Sequence, residues 1–239
     1  MRRRFFVDEV RNGHAHIEGE HARHLTNVLR VEVGQRYELS DNRNVFLAEV
    51  ESARKTDVVF KTLEKMPPEP ERVRIVLHAA IVKFDHFEWM IEKTTELGVT
   101  EIVPVIAVRT ERGLDRAAEK RQERWRRIAL EASQQSRRAH LPEIADAVPF
   151  KEILNAEATR RYVLDETGGE PLASSLPSDR SAEDSIALLV GPEGGWADPE
   201  REQFIAAGWT RVSMGPLILR AETAAMAAVS VVSGAWLVH

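Results

Sequence analysis

Leu188-Leu189-Val190-Gly191-Pro192-Glu193-Gly194-Gly195-Trp196, followed by Met214-Gly215-Pro216-Leu217-Ile218-Leu219-Arg220-Ala221-Glu222-Thr223-Ala224-Ala225, decides how this chain is read. In each stretch a short apolar run opens into a Gly/Pro turn and then into a helix. Ile186 to Val190 suits a buried strand, and Gly191, Gly194 and Gly195 let the backbone turn sharply and approach a ligand closely. Asp198-Pro199-Glu200 is a helix start, with Asp as the expected cap, Pro at the first helical position and Glu at the positive end. Two such units in about 40 residues predict a cleft at the carboxyl ends of neighbouring strands, where α/β sheets bind ligands. No Lys-Ser or Lys-Thr follows the glycines, so this is no phosphate-binding P-loop, and the spacing is not that of a dinucleotide fingerprint.

Working outward, strands and helices alternate. Val73–Ala80 reads as a strand and Phe84–Leu97 as a helix closed by Gly98. Ile102–Val108 is a strand that Pro104 places towards an edge or an end. One long helix is expected over about Arg116–Arg137, a strand over Ile144–Val148, a short helix from Phe150, a strand over Arg161–Asp165 and a loop over Thr167–Asp184. Such alternation signals a largely parallel sheet covered by helices. Before it, Met66-Pro67-Pro68-Glu69-Pro70-Glu71 cannot continue a helix or a central strand and forms a stiff connector. Ahead of the connector, β-prone runs at Arg4–Val7, Arg36–Ser40, Asn44–Val50 and Val58–Leu63 surround one helix over His21–Arg30, the pattern of a small β-barrel. The expected domains are residues 1–68 and 72–239.

The 239 residues are 43% hydrophobic and 30% charged and contain no cysteine. Disulfides, thiolate metal sites and a cysteine nucleophile are excluded. No apolar run reaches the length of a membrane span, and the basic N-terminus lacks a signal core, so a cytoplasmic location is expected. The net charge of −5 is unevenly spread: ten Lys/Arg face five Asp/Glu between Arg109 and Arg138, leaving −10 for the remainder. That segment is either a solvated helix face or a phosphate-contacting patch within an otherwise acidic surface. His14 and His16 share one face of a strand at a spacing that can bind metal, but no third ligand is apparent, and a surface strand is the plainer reading.

Both Gly/Pro loops resemble the C-terminal motifs of the RsmE family, SPOUT-class methyltransferases of 16S ribosomal RNA that act on N3 of a uridine. The resemblance extends to Arg4-Phe5-Phe6-Val7, His24-Leu25-Thr26-Asn27-Val28-Leu29-Arg30 with Val33-Gly34, Lys83, Glu88, Lys93-Thr94-Thr95-Glu96-Leu97-Gly98-Val99, Arg124-Trp125, and Glu131-Ala132-Ser133-Gln134-Gln135-Ser136 with Arg138. Two departures stand out. Asp41-Asn42-Arg43-Asn44 replaces a glycine-bearing turn, although Asn tolerates positive φ, and Arg137 replaces a small residue.

The resemblance implies a PUA-like RNA-binding barrel followed by a trefoil-knotted methyltransferase domain, in which loops after Val163-Leu164, Val190-Gly191 and Ser213-Met214 converge on S-adenosyl-L-methionine. The implied cofactor residues are Leu164, Leu189, Val190, Gly191, Glu193, Gly195, Met214, Gly215, Leu217, Ile218, Leu219 and Thr223, with no metal required. Uridine N3 must lose a proton as it attacks, so a general base or an electropositive group stabilising the anion is needed. Arg220 and Glu193 are the candidates. Arg220 can stabilise the base or hold a phosphate, or it can simply pair with Glu222. Glu193 can accept a proton or bind a ribose. Arg2, Arg3, Arg4, His24, Arg30, Arg124, Arg127 and Arg138 are the candidate RNA contacts.

The expected partners are 16S rRNA in the small ribosomal subunit and a second copy of the chain. Thr223 to Leu237 is almost wholly apolar or small, and a helix apolar all round needs burial on more than one side. Two rival readings stay open: a SPOUT enzyme acting on another RNA, and a non-catalytic RNA-binding or ribosome-assembly protein.

Overall fold

The computed structural model describes residues 3–70 and 72–237, so Arg2 lies outside the described residues. The chain divides into two compact units. The first comprises residues 1–70 with 133–141, and the second 71–132 with 142–239. The units part at residues 70–71, and the last turn of the basic helix with the residues that follow it, 133–141, belongs to the first unit.

The first unit contains β1 (Arg4–Phe6), β2 (His14–Glu18), α1 (Gly19–Asn27), β3 (Arg36–Ser40), β4 (Val45–Arg54) and β5 (Asp57–Lys65). Its five-stranded sheet has the order β1-β3-β4-β5-β2, and only β1–β3 is parallel. Phe5, Leu39, Ala48, Val50 and Phe60 alternate inward and meet Leu25 of α1, as period-two patterning requires. The Asp41–Asn44 turn shows how this chain manages without glycine. Asn42 sits at φ +65°, and Asp41 Oδ1 accepts the N–H groups of Arg43 (3.0 Å) and Asn44 (2.6 Å).

Arg137 has a similar explanation. It occupies the left-handed position at φ +57° just past the end of its helix, and the Arg138 N–H closes back onto the Ser133 carbonyl at 3.0 Å. A small residue is favoured there because an L side chain strains that conformation. Here the side chain is used instead: Arg137 Nη2 reaches Glu38 Oε1 at 2.5 Å, and Arg4 reaches the other oxygen at 3.0 Å. Burial works to raise the Glu38 pKa, but donation from Arg137 and Arg4 outweighs it, and the carboxyl stays below its ordinary value. Arg4 is itself buried and also donates to Glu69 (2.8 Å) and the Arg137 carbonyl (2.8 Å). Glu38→Ala, which leaves these arginines short of their central anion, should destabilise the protein by about 3 kcal/mol in chemical denaturation. A loss within the scatter of surface substitutions would show the cluster to be energetically idle.

His16 gains neighbours that sequence could not place. Pairing of β2 with β5 brings Glu18 and Asp57 to it, with ligand atoms within 4.8 Å of one another. The group lies on the surface, and His14 turns to Glu51 instead (3.4 Å).

The second unit runs β6 (Arg74–Ala80), α2 (Phe84–Glu96), β7 (Glu101–Ile106), α3 (Leu114–Ala118), α4 (Gln122–Ser136), β8 (Glu143–Ile144), β9 (Val148–Pro149), β10 (Arg160–Leu164), β11 (Glu170–Pro171), α5 (Leu172–Ser175), β12 (Ser185–Val190), α6 (Asp198–Ala206), β13 (Thr210–Ser213) and α7 (Ala221–Trp236). Every strand pair is parallel, in the order β11-β13-β10-β12-β6-β7-β8, with β9 also on β7.

Five local expectations are corrected. The long basic helix is broken by a 3-10 turn over Glu119–Arg121 that separates α3 from α4. The strand expected over 144–148 is two short pieces, and β7 is an inner strand. Pro104 is tolerated because the outer ladder is interrupted opposite it, β8 pairing with Glu101–Ile102 and β9 with Val105–Ile106. Asp198 does not cap α6; Ala197 occupies that place, and the Glu200 side chain accepts the Ala197 N–H at 2.9 Å. The loop expected over 167–184 contains β11 and α5.

Helices cover both faces of the sheet. Ile75, Leu77, Leu188 and Val190 pack against Phe87 and Ile91 of α2, Trp125 of α4 and Ala225, Val229 and Val232 of α7. Val76, Val163, Ala187 and Leu189 face Phe150, Trp196, Phe204 and Trp209. His78 is buried on this second face, edge-on to the Trp209 ring at 5.9 Å, and its Nδ1 has no hydrogen-bond partner among the described residues. Burial, helped by the charge of Arg74, pushes its pKa down from 6.5 to about 4. The folded chain therefore binds fewer protons than the unfolded one between those values. This contribution to stability is complete above pH 6.5 and falls by about 3 kcal/mol as the pH drops to about 4. Denaturation midpoints measured across that window should decline in the parent and decline less in His78→Leu. Equal slopes in the two proteins would refute the assignment.

Candidate active site

Because the sheet is parallel, the loops after β10, β12 and β13 leave it at the same end, and they meet there. Residues 164–166, 190–195 and 212–221, with Ala224 of α7, enclose a cleft of about 450 Å³. These are the three loops that the sequence assigns to convergence.

The glycine loop is held from behind. Trp196 is fully buried, donates Nε1–H to the Leu164 carbonyl at 2.9 Å and packs against Phe150 and Phe204. A Cβ at Gly191 would stand 3.0 Å from that indole, so close loop packing adds a second reason for glycine beside the ligand approach expected from sequence. At Gly195 the demand is stricter. Its φ is +69°, and a Cβ would collide with the Glu166 carboxylate.

Asp165 and Glu166 extend from the end of β10. Asp165 has a fully buried carboxylate that accepts the Thr167 N–H (3.1 Å) and ion-pairs with Arg201 (3.2 Å) and Arg211 (2.9 Å). Burial acts to raise its pKa, but these donors prevail and hold it below the usual carboxylate value. Arg201 also binds Glu166 at 2.8 Å, fixing the side chain that faces Gly195.

A fourth loop, residues 107–113, is clamped to the glycine loop. Glu200 is buried, and Oε1 takes the Val108 N–H at 2.8 Å while Oε2 takes the Ala197 N–H. Arg109 donates to the Gly194 carbonyl at 2.6 Å.

At the rim, Glu193 and Arg220 are exposed, and the Arg220 guanidinium has no acidic partner among the described residues. The alternative pairing of Arg220 with Glu222 does not occur. Glu222 is buried and bonded to His86 Nδ1 at 2.8 Å. Leu217 and Ile218 stand 76% and 85% exposed on the third loop, an apolar lip beside one cation and a carboxylate. Apolar walls, exposed loop backbone and a few polar side chains suit a small ligand that is flat in part and polar at its edges.

A family model described as an RNA methyltransferase domain matches residues 69–233, and one described as an RNA methyltransferase PUA domain matches residues 17–63. The Bacillus subtilis ribosomal RNA small subunit methyltransferase E is 32% identical over 227 residues, covering 91% of this chain and 88% of that protein. This chain belongs to the ribosomal RNA small subunit methyltransferase E family. The Neisseria gonorrhoeae member solved bound to S-adenosyl methionine superposes with a TM-score of 0.88 at 29% identity, covering 99% of this chain and 98% of that one. A Legionella pneumophila methyltransferase with bound cofactor gives a TM-score of 0.89 at 28% identity, with 98% of each chain covered.

Within this methyltransferase fold the residues singled out from sequence separate into groups. Leu164, Val190, Gly191, Glu193, Gly195, Met214, Gly215, Leu217, Ile218, Leu219 and Arg220 all line the cleft. Leu189 does not; strand alternation turns it into the core on the other face of the sheet. Thr223 is exposed on α7 and lies outside the lining.

Of the basic candidates, Arg3, His24 and Arg30 are exposed on the first unit, whereas Arg4 is consumed in the Glu38 cluster. Arg124 forms a two-point pair with Glu88 (2.8 Å for each bond), Arg127 pairs with Glu131 (2.9 Å), and Arg138 Nε donates to the His140 carbonyl (3.1 Å). Sequence reading missed Asp165, Glu166 and the Glu200 clamp. The signal for the first two was their place at and just after the end of a predicted strand; Glu200 reads from sequence as an ordinary first-turn acid.

Proposed function

We propose that this chain transfers a methyl group from S-adenosylmethionine to N3 of a uridine in 16S rRNA of the small ribosomal subunit. The observation that carries the reading is the meeting of three strand-end loops around one cleft lined by an arginine with no acidic partner among the described residues and by an exposed glutamate. The residues fit the cofactor. Leu164, Val190, Met214 and Leu219 would flank an adenine, backbone groups of the glycine loop and of 214–219 would meet its edges, and Glu166 would lie within reach of hydroxyl groups. Bound S-adenosylmethionine supplies an electrophilic methyl group. The chain's own part is to hold the uracil ring beside it, to accept the N3 proton at Glu193 and to stabilise the resulting anion through Arg220.

Arg3, His24 and Arg30 on the PUA-like unit and Arg124, Arg127 and Arg138 on the basic helix and just beyond it are assigned to RNA phosphates, the paired ones exchanging a carboxylate for a phosphate. We read the order β10-β12-β6, with β12 inserted between strands laid down earlier, as the trefoil knot of the SPOUT class. No helix among the described residues is long and apolar enough to cross a membrane, and we assign the protein to the cytoplasm. Titration calorimetry with S-adenosylmethionine separates this reading from that of a non-catalytic assembly protein. Saturable micromolar binding supports it, and no heat of binding at all contradicts it.

A homodimer belongs to the same proposal. α7 is not apolar on every side of its own unit: Ala225, Ala228, Val229, Val232 and Trp236 face inward, while Thr223, Ser230, Gly234 and Leu237 remain exposed. Small residues on that open face permit close approach of a second copy, next to the cleft-lining Ala221 and Ala224. Sedimentation at micromolar concentration should give a species near twice the 27.0 kDa chain mass; a single-chain mass throughout would refute the dimer.

A further inference from the structure

The first turn of α7 carries a carboxylate whose depth is not explained by the cleft. The Glu222 side chain is 3% exposed and is not among the cleft-lining residues. A carboxylate so deeply buried is costly unless it is hydrogen-bonded. Among the described residues its hydrogen-bonding partner is His86 Nδ1, at 2.8 Å, from the first turn of α2. The helices α2 and α7 pack side by side, and both begin at the carboxyl end of the sheet, after β6 and β13 respectively.

The loop between β13 and α7 is otherwise lightly held. Gly215 adopts φ +122°, Leu217 and Ile218 project into solvent, and residues 214–220 make no side-chain hydrogen bond among the described residues. Its backbone is tied at the helix end, where the Arg220 carbonyl accepts the Ala224 N–H at 2.8 Å. Arg220 is also the N-cap residue, directly ahead of the turn that Glu222 anchors.

We propose that His86 is a positioning residue for methyl transfer: by holding Glu222 it fixes the first turn of α7, and so places Arg220 and loop 214–220 at the cleft. This rests on the methyltransferase reading above for its effect on rate, but the pinning itself does not depend on that reading. The imidazole donates Nδ1–H to the Glu222 carboxylate and is not among the cleft-lining residues. Its other nitrogen lies 3.8 Å from the exposed Asp85, beyond a hydrogen bond. An amide N–H at position 86 can make the same bond, whereas a methyl group cannot.

The test uses the full-length protein, with S-adenosylmethionine and unmethylated small ribosomal subunits, in the parent, His86→Ala, His86→Gln and Glu222→Gln. In His86→Ala, amide exchange of residues 214–224 in the ligand-free protein should accelerate, and kcat for methyl transfer should fall at least about tenfold, because small misplacements of a positioned group are costly. Affinity for S-adenosylmethionine should fall less than kcat, since Leu164, Val190 and the glycine loop are untouched and only the 214–220 side of the cleft loosens. His86→Gln should recover most of the exchange protection and of the rate. Glu222→Gln, which keeps an acceptor for a histidine donor, should resemble it. Unchanged exchange in His86→Ala, or equal losses in His86→Ala and His86→Gln, would overturn the proposal. Exchange that changes as expected in a protein whose parent form transfers no methyl group would leave the pin standing and defeat the methyltransferase reading instead.

Discussion

Gly195→Ala is expected to weaken S-adenosylmethionine binding by at least about 100-fold while leaving the protein folded. The site combines two independent obstacles. An L residue at φ +69° is strained by about 1–2 kcal/mol, and the new methyl would occupy the position of the Glu166 carboxylate. To swing away, Glu166 must give up its 2.8 Å pair with Arg201, which is in turn fixed by the fully buried Asp165. The strain at φ +69° falls on the glycine loop itself, and with it on the backbone of the cleft. Gly194→Ala is the control. Its Cβ would come no nearer than 3.4 Å to the flexible Arg109 side chain, and affinity should change by only a few-fold. Calorimetry on both variants, with melting curves to verify folding, checks the difference. Equal affinity of Gly195→Ala and the parent would remove the cleft from the cofactor's path.

The second large effect is expected at Arg220. Its guanidinium lines the cleft without an acidic partner among the described residues, and a cation held there has its greatest effect where negative charge develops on the reacting base. Arg220→Ala should lower kcat by about 100-fold and alter S-adenosylmethionine affinity much less, the signature of an interaction made chiefly in the transition state. Arg220→Lys should recover part of the loss, keeping the charge but not the planar two-point geometry. If single-turnover rates of Arg220→Ala matched the parent, Arg220 would be a phosphate-binding or solvated residue and the stabilising group would have to be sought elsewhere.

The sequence carried the parallel second unit and its ligand end because those depend on local patterns. Ile186–Val190 is a continuous apolar run of strand length, Val73–Ala80 is apolar but for Arg74 and His78, and Gly191, Gly195 and Gly215 mark the turns after the strands at the ligand end. The strand Arg36–Ser40 is found with its predicted bounds, and Asn42 takes the positive φ that its residue type allows.

What stayed hidden depends on partners distant in the chain. Arg4 looks like one of three basic residues at an exposed terminus, and only Glu38, 34 positions away, and Arg137, 133 away, make it a buried clamp. Leu189 sits in the right loop sequence, but strand alternation sends it to the opposite face from Val190. Glu222 reads as a helix-start acid beside Arg220, whereas its partner is 136 residues upstream on α2. Charge counts over Arg109–Arg138 likewise could not reveal that Arg124 and Arg127 already hold carboxylates.

On this reading, the cleft formed by the loops after β10, β12 and β13 methylates small-subunit ribosomal RNA at uridine N3. Incubating the protein with unmethylated small subunits and methyl-labelled S-adenosylmethionine, then mapping the label by nuclease digestion and mass spectrometry, tests it directly. The expected result is one modified nucleoside, 3-methyluridine, at a single position in 16S rRNA, lost in Gly195→Ala. Label on a base other than uridine, on an RNA outside the small subunit, or on no RNA at all would contradict it.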